Sequence, residues 1–151
     1  MIRIILHIVF LSSFILSALS FAESDGVESD YKYKMYLACA QSGNQDMPKA
    51  EFDRLIAQPF CARDTNMNPV TIQNFEILYA ERGLYQDSSG LPIIFTDYIK
   101  IPCQGNQLKQ AWVDYFLERS YKGDTVYIEQ VKVLGADNKS HLAEGMKIII
   151  R

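Results

Sequence analysis

Apolar and polar residues alternate at the start of the readable pattern. Tyr31, Tyr33, Met35, Leu37 and Cys39 share one parity, with Lys32 and Lys34 between them. This spacing predicts a half-buried strand over 31–40 with its odd face inward. Ser42-Gly43-Asn44-Gln45-Asp46 breaks the alternation. Pro48 then stands where a first helical turn tolerates proline, and Phe52, Leu55 and Ile56 give a short helix, to about Ala57, one apolar stripe. Pro59 stops it.

The next segment, 70–80, keeps Val70 and Ile72 on one face and then Phe75, Ile77 and Tyr79, so the apolar set changes parity at Gln73-Asn74. The same slip occurs between Val126 and Ile128 on one side of Glu129-Gln130 and Val131 and Val133 on the other. Each slip predicts a β-bulge, and two of them predict a strongly twisted or bent sheet. Between these segments Ile93, Phe95, Ile99 and Ile101 mark a further strand, entered through Asp87-Ser88-Ser89-Gly90 and Pro92. Asp97 falls on its apolar face, a placement read as a sheet edge or bulge in preference to a carboxylate with a raised pKa.

Leu108, Ala111, Trp112, Tyr115 and Phe116 recur at helical spacing and predict a second helix capped near Asn106. Its rings, Trp112, Tyr115 and Phe116, are the expected core anchors, because aromatic side chains supply much of the buried area in a small domain. Gly123-Asp124 ends this region, 125–134 forms a strand, Gly135-Ala136-Asp137-Asn138 turns the chain, and Met146, Ile148 and Ile150 close the sheet. The expected fold is mixed and mainly β: a twisted antiparallel sheet or β-sandwich with two short helices packed on it.

The N-terminus changes how much of the 151 residues is counted in the fold. Arg3, an apolar run from Ile4 to Leu19, and Ser20-Phe21-Ala22 make a basic, apolar and small-residue series of the kind that directs export, with cleavage expected between Ala22 and Glu23. Ser12, Ser13 and Ser17 interrupt the run, which is shorter than the ~20 apolar residues that span a bilayer. The organisation is therefore read as a signal peptide at 1–22, an acidic leader at 23–30 and one domain at 31–151. A periplasmic or secreted protein follows. The net charge of −3 becomes more negative once Arg3 is removed. It offers no basic excess to hold phosphates, so no nucleic-acid partner is expected.

Cys39, Cys61 and Cys103 match no metal or redox spacing. In an exported chain one bridge and one spare thiol is the simplest arrangement. Cys39 and Cys103 each continue an apolar strand face and are the favoured pair; three buried thiols are the alternative.

Catalytic groups are scarce. His7 leaves with the signal peptide, and His141 lies in the polar stretch Asn138-Lys139-Ser140, where a solvated surface histidine is favoured over a base paired with a cysteine. No phosphate loop, zinc helix or nucleophile elbow is present. No catalytic residue, cofactor or metal is expected, and a small hydrolase is the least favoured reading. Nine tyrosines exceed what one such core needs. Some of Tyr31, Tyr33, Tyr85, Tyr98, Tyr121 and Tyr127 are therefore expected at the surface, with Tyr85, Tyr98 and Tyr121 the candidate contact aromatics. They favour a protein-binding module, the alternative being an envelope inhibitor or glycan-binding protein.

Three motifs add a resemblance. Met47-Pro48-Lys49-Ala50-Glu51-Phe52 follows a glycine-containing turn; the strand over 70–79 comes next; then Gly105-Asn106-Gln107-Leu108 precedes a helix, Lys122-Gly123-Asp124-Thr125-Val126-Tyr127-Ile128-Glu129 and Gly135-Ala136-Asp137. In this order they resemble the C-terminal periplasmic domain of GldM, the gliding-motility and type IX secretion motor subunit, over 43–151. Pro48 and Lys109 stand where that family has capping hydroxyl residues, and Ala136 where it has proline, so the helix starts need other caps. The family's motor subunit also carries a transmembrane helix and further domains, so motor coupling does not transfer. The resemblance implies a β-rich fold with two helices and contact with an envelope protein, such as a secretion-apparatus component. It assigns no catalytic residues.

Overall fold

The computed structural model describes residues 31–151; the expected signal peptide and leader lie outside the described residues. The chain runs β1 (Tyr33–Leu37), β2 (Gln41–Ser42), β3 (Gln45–Met47), α1 (Lys49–Ile56), β4 (Cys61–Asp64), β5 (Pro69–Gln86), β6 (Pro92–Gln104), α2 (Gln110–Arg119), β7 (Thr125–Leu134), β8 (Ser140–Leu142) and β9 (Met146–Ile150). The fold is mixed and mainly β, with two short helices, as the periodicities predict.

One sheet joins all nine strands in the order β2-β1-β4-β5-β7-β9-β3, with β6 on β5 and β8 on β7. β2 and β3 end opposite sides of that order, yet only Gly43 and Asn44 separate them in the chain. The sheet therefore has to curl. Closure is completed by backbone bonds from Met35 N–H to the Glu144 carbonyl (3.0 Å) and from Glu144 N–H to the Tyr33 carbonyl (2.8 Å). The result is close to a barrel, which removes most free edges. It is a mixed sheet rather than a wholly antiparallel one, because β3 pairs with β9 in parallel.

The two parity slips turn out to face each other. Ile72 pairs with Val133, Asn74 with Lys132 and Glu76 with Glu129, so β5 gains a residue at Gln73 and β7 gains two for one around Gln130. Gln130 holds a left-handed φ of 51°. The irregularities offset one another, and Ile72, Phe75, Ile77, Tyr79, Val126, Ile128, Val131 and Val133 all stay buried.

Both helices start without a side-chain cap, at Pro48 and Lys109. Asn106, the expected cap, instead donates its side-chain amide to the Phe60 carbonyl at 3.3 Å. α1 buries Phe52, Leu55 and Ile56 as predicted. In α2 the buried residues are Val113 and Phe116, while Trp112 and Tyr115 are half-buried at the margin of the core and Ala111 is exposed. Of the three expected anchors only Phe116 is fully enclosed, because the helix begins at Gln110 and turns its Val113–Phe116 ridge toward Phe52 of α1 and Tyr79 of β5.

The disulfide also differs from expectation: Cys39 is bridged to Cys61, with Cα atoms 4.8 Å apart, and Cys103 is a buried free thiol. β1 stops at Leu37, and Ala38 and Cys39 take φ of 50° and 60°, which swings Cys39 out of the strand face and back over β4. The register Tyr36↔Cys61 brings its partner there. Such a bridge is compatible with an oxidising compartment. Among the described residues no helix is long and apolar enough to cross a membrane.

Candidate functional site

β5 is 18 residues long, but β7 accompanies it only as far as Ala80↔Thr125. Beyond that rung, among the described residues, β5 and β6 continue alone, from Glu81↔Asp97 to Gln86↔Pro92. At a rise of about 3.3 Å per residue this makes an arm roughly 20 Å long. Its tip closes on itself. The Asp87 carboxylate accepts N–H bonds from Ser89 (2.8 Å) and Leu91 (2.9 Å), Gly90 donates its N–H to the Asp87 carbonyl (3.0 Å), and Gly90 occupies the left-handed region at φ 78°.

The arm carries most of the exposed large apolar residues of the described chain. Leu84 is 73% exposed, Ile94 65% and Phe95 51%, and Tyr85, Leu91 and Ile93 are also exposed. Alternation divides them between two faces. Tyr85, Ile93 and Phe95 share one, across the rungs Tyr85↔Ile93 and Gly83↔Phe95; Leu84 and Ile94 oppose each other on the other. The ring of Tyr85 lies over Gly83, where an added Cβ would meet it at 2.6 Å, and meets Phe95 edge-on at 5.7 Å between centroids. The absence of a side chain at Gly83 gives the Tyr85 ring its place, and Tyr85, Ile93 and Phe95 line a shallow groove.

Polar groups hold the base of the arm. Asp124, 1% exposed, precedes β7 and accepts the Arg82 N–H at 2.8 Å, in place of the next ladder rung. Its other oxygen accepts the Tyr79 hydroxyl (2.5 Å) and the Tyr121 N–H (2.8 Å). Burial, reinforced by the Asp124 carboxylate, pushes the Tyr79 phenol far above its ordinary pKa. Glu81 accepts from Arg119 at 2.8 Å and from the Tyr115 hydroxyl at 3.1 Å. Burial, with this bond, also raises the Tyr115 phenol. Asp97, opposite Glu81, is exposed at the arm's base, in line with the edge reading.

The candidate contact tyrosines are all exposed; the structure places Tyr85 on the arm, Tyr98 at its base opposite Ala80, and Tyr121 beside that base, after α2. Tyr33, one of the six tyrosines of which some are expected outward, is buried against the His141 ring (5.2 Å), as its place on the inward face of the first strand predicts. His141 pairs with Asp137 at 2.9 Å, and that bond holds the Asp137 carboxyl below its usual range. It does not face a cysteine. Cys103 is pushed up to about 11 by burial, which leaves its thiol protonated and poorly nucleophilic near neutrality. Among the described residues no group of three or more His, Cys, Asp or Glu side chains is placed to hold a metal.

Sequence reading missed the arm. Leu84, Leu91 and Ile94 did not stand out, and Ile93 and Phe95 read as core because they share parity with Ile99 and Ile101. The available signal was the separation of the predicted strands: 70–80 and the turn at Asp87–Gly90 left 81–86 without an element, although they contain Leu84 and Tyr85.

A second feature is an open cleft of about 540 Å³ whose lining includes Tyr31, Tyr127, Glu129, Glu144 and Lys147. Lys147 sits over the Tyr127 ring at 5.7 Å, and Lys34 pairs with Glu144 at 2.9 Å. No protein-family model matches the chain, and a search of curated proteins finds no match either.

Proposed function

We propose that this chain is an exported, non-catalytic interaction module of the cell envelope, and that the arm formed by 81–97 is its contact element. The observation that carries the reading is an apolar ribbon with two solvent-facing sides on an otherwise closed sheet. An isolated two-stranded hairpin is marginal in water, and large exposed apolar patches mark contact sites. Export is supported by the N-terminal pattern and by the compatible bridge between Cys39 and Cys61. An accessory role in secretion or gliding machinery is supported by the ordered motifs that resemble the GldM domain, and by the β-rich fold with two helices that the resemblance implies.

The test is affinity capture after crosslinking in intact cells that make the protein, comparing the native chain with Ile94→Lys. The reading expects envelope proteins recovered with the native chain and lost with the variant at equal abundance. Identical recovery from both would remove the arm from the account.

The cleft with Tyr31 and Tyr127 favours a second reading, glycan binding, since aromatic rings and flanking carboxylates suit sugar faces and hydroxyls. Saturable saccharide binding that disappears in Tyr127→Ala and persists in Ile94→Lys would establish it over the first.

A further inference from the structure

The shape of the arm restricts what covers it. Its six exposed apolar side chains, at ~200 Å² each when free and somewhat over half exposed, present on the order of 700 Å². That is close to one partner's share, about 800 Å², of a standard-size interface. The area is split between two opposite faces, so a flat surface would cover only one of them. Among the described residues the outer edge of β6 also lacks a neighbouring strand in the arm, because β6 pairs with β5 alone. Its outward N–H and C=O groups disfavour burial in lipid hydrocarbon, where each unsatisfied group costs several kcal/mol.

Charge narrows the choice further. Between Gly83 and Thr96 the sole charged side chain is Asp87, whose carboxylate is engaged in the turn. Glu81, Arg82 and Asp97 ring the base instead. The tip is therefore suited to an uncharged enclosure with a polar rim at its mouth. The described residues outside the arm do not offer one. Outside the arm its exposed large apolar residues among those described are Met67, Tyr98 at the arm's base, Leu117, Tyr121 and Leu142, and they form no enclosure. Two arms laid together would cover only one face of each.

Building on the contact role of the arm, we infer that it is a plug. Its tip, Leu84 to Phe95, inserts into a two-walled, uncharged apolar cleft of a different protein. One wall packs on Tyr85, Ile93 and Phe95, the other on Leu84 and Ile94, and a strand at the cleft's margin adds to the free edge of β6.

The experiment places a photo-crosslinking phenylalanine analogue singly at Ile94, at Phe95 and, as a control, at Lys139, in the full chain within cells that make it. Insertion expects the Ile94 and Phe95 probes to label one and the same protein, other than this chain, and the Lys139 probe not to label it. Adding Leu84→Lys should lower the Phe95 adduct by about tenfold, the least expected when a central apolar anchor becomes charged. Circular dichroism and thermal melting of each variant report that the body is intact.

Adducts at twice the chain's own mass would overturn the plug in favour of self-pairing while leaving the arm a contact element. Two different proteins labelled from the two faces would do the same. Lipid adducts alone, or no adducts, would overturn both the plug and the contact role.

Discussion

The Tyr79 hydroxyl donates to the buried Asp124 carboxylate across 2.5 Å, and the same carboxylate takes the Arg82 N–H where β7 leaves β5. This pairing sits at the junction between the enclosed sheet and the arm. It satisfies a buried acid with three donors and fixes the angle at which β5 continues.

Removing the acceptor should therefore cost more than removing one donor. Asp124→Ala strands two backbone N–H groups and leaves the Tyr79 hydroxyl only the Arg119 carbonyl at 3.3 Å, and is expected to lower stability by about 3 kcal/mol or more, whereas Tyr79→Phe should cost about 1 to 2 kcal/mol. Urea unfolding of both variants checks the order. Equal losses would show that Asp124 is not the organising acceptor.

Alkaline pH should weaken the fold through two buried acids that stay protonated. Cys103 has an ordinary pKa of 9.0 and is raised to about 11 in the folded chain; Tyr79 is raised from 10.0. In each case the unfolded chain ionises first. The contribution is therefore complete below about pH 9 and is lost as pH climbs through the folded values. Melting temperatures measured from pH 8 to pH 11 should fall, and the fall should be shallower in Cys103→Ala and in Tyr79→Phe.

The helix α2 offers a test of depth. Phe116 is fully enclosed and meets Phe52 and Tyr79 edge-on, at 5.8 Å and 5.1 Å. Phe116→Ala should cost about 3 to 5 kcal/mol, and Trp112→Ala, at the core's margin, clearly less. Tryptophan fluorescence should show only a partly shielded indole. Equal destabilisation by the two substitutions would place Trp112 in the core after all.

Non-reduced peptide mapping should recover Cys39 joined to Cys61, with Cys103 unreactive to alkylating reagent until the protein is unfolded. Closing a loop of 22 residues is worth about 3 kcal/mol in the chain-entropy picture. Cys39→Ser with Cys61→Ser should lower stability by that order, while Cys103→Ser acts through its buried site instead.

Because the arm's tip packs against little of its own chain, Ile94→Lys should leave the melting temperature almost unchanged, within the about 0.5 kcal/mol typical of surface positions. A large loss of stability would mean that the tip supports the fold and is not kept apolar for contact.

Much of the fold was legible because its signals are local. The inward parities of 33–37, 75–79, 126–133 and 146–150, and the stripe Phe52-Leu55-Ile56, come from side chains that must alternate or recur to bury one face. Both bulges were also legible as parity slips, since an extra residue exchanges the faces of a strand. Gln41–Ser42, Gln45–Met47 and Cys61–Asp64 were not, being too short to show a period.

What the amino-acid order determined by itself was which residues seek burial and with what periodicity; it yielded the mainly β class, the two helices and the abundance of surface tyrosine. Three things depended on the tertiary structure. Cys39 meets Cys61 because the turn after Leu37 leaves the strand path, and Trp112 lies at the core's margin because of the angle at which α2 docks. Ile93 and Phe95 face solvent although Ile101 and Cys103, on the same side of the same strand, are buried. Periodicity identifies the inward face of a strand, but burial requires a neighbour to cover it, and β7 parts from β5 at Ala80.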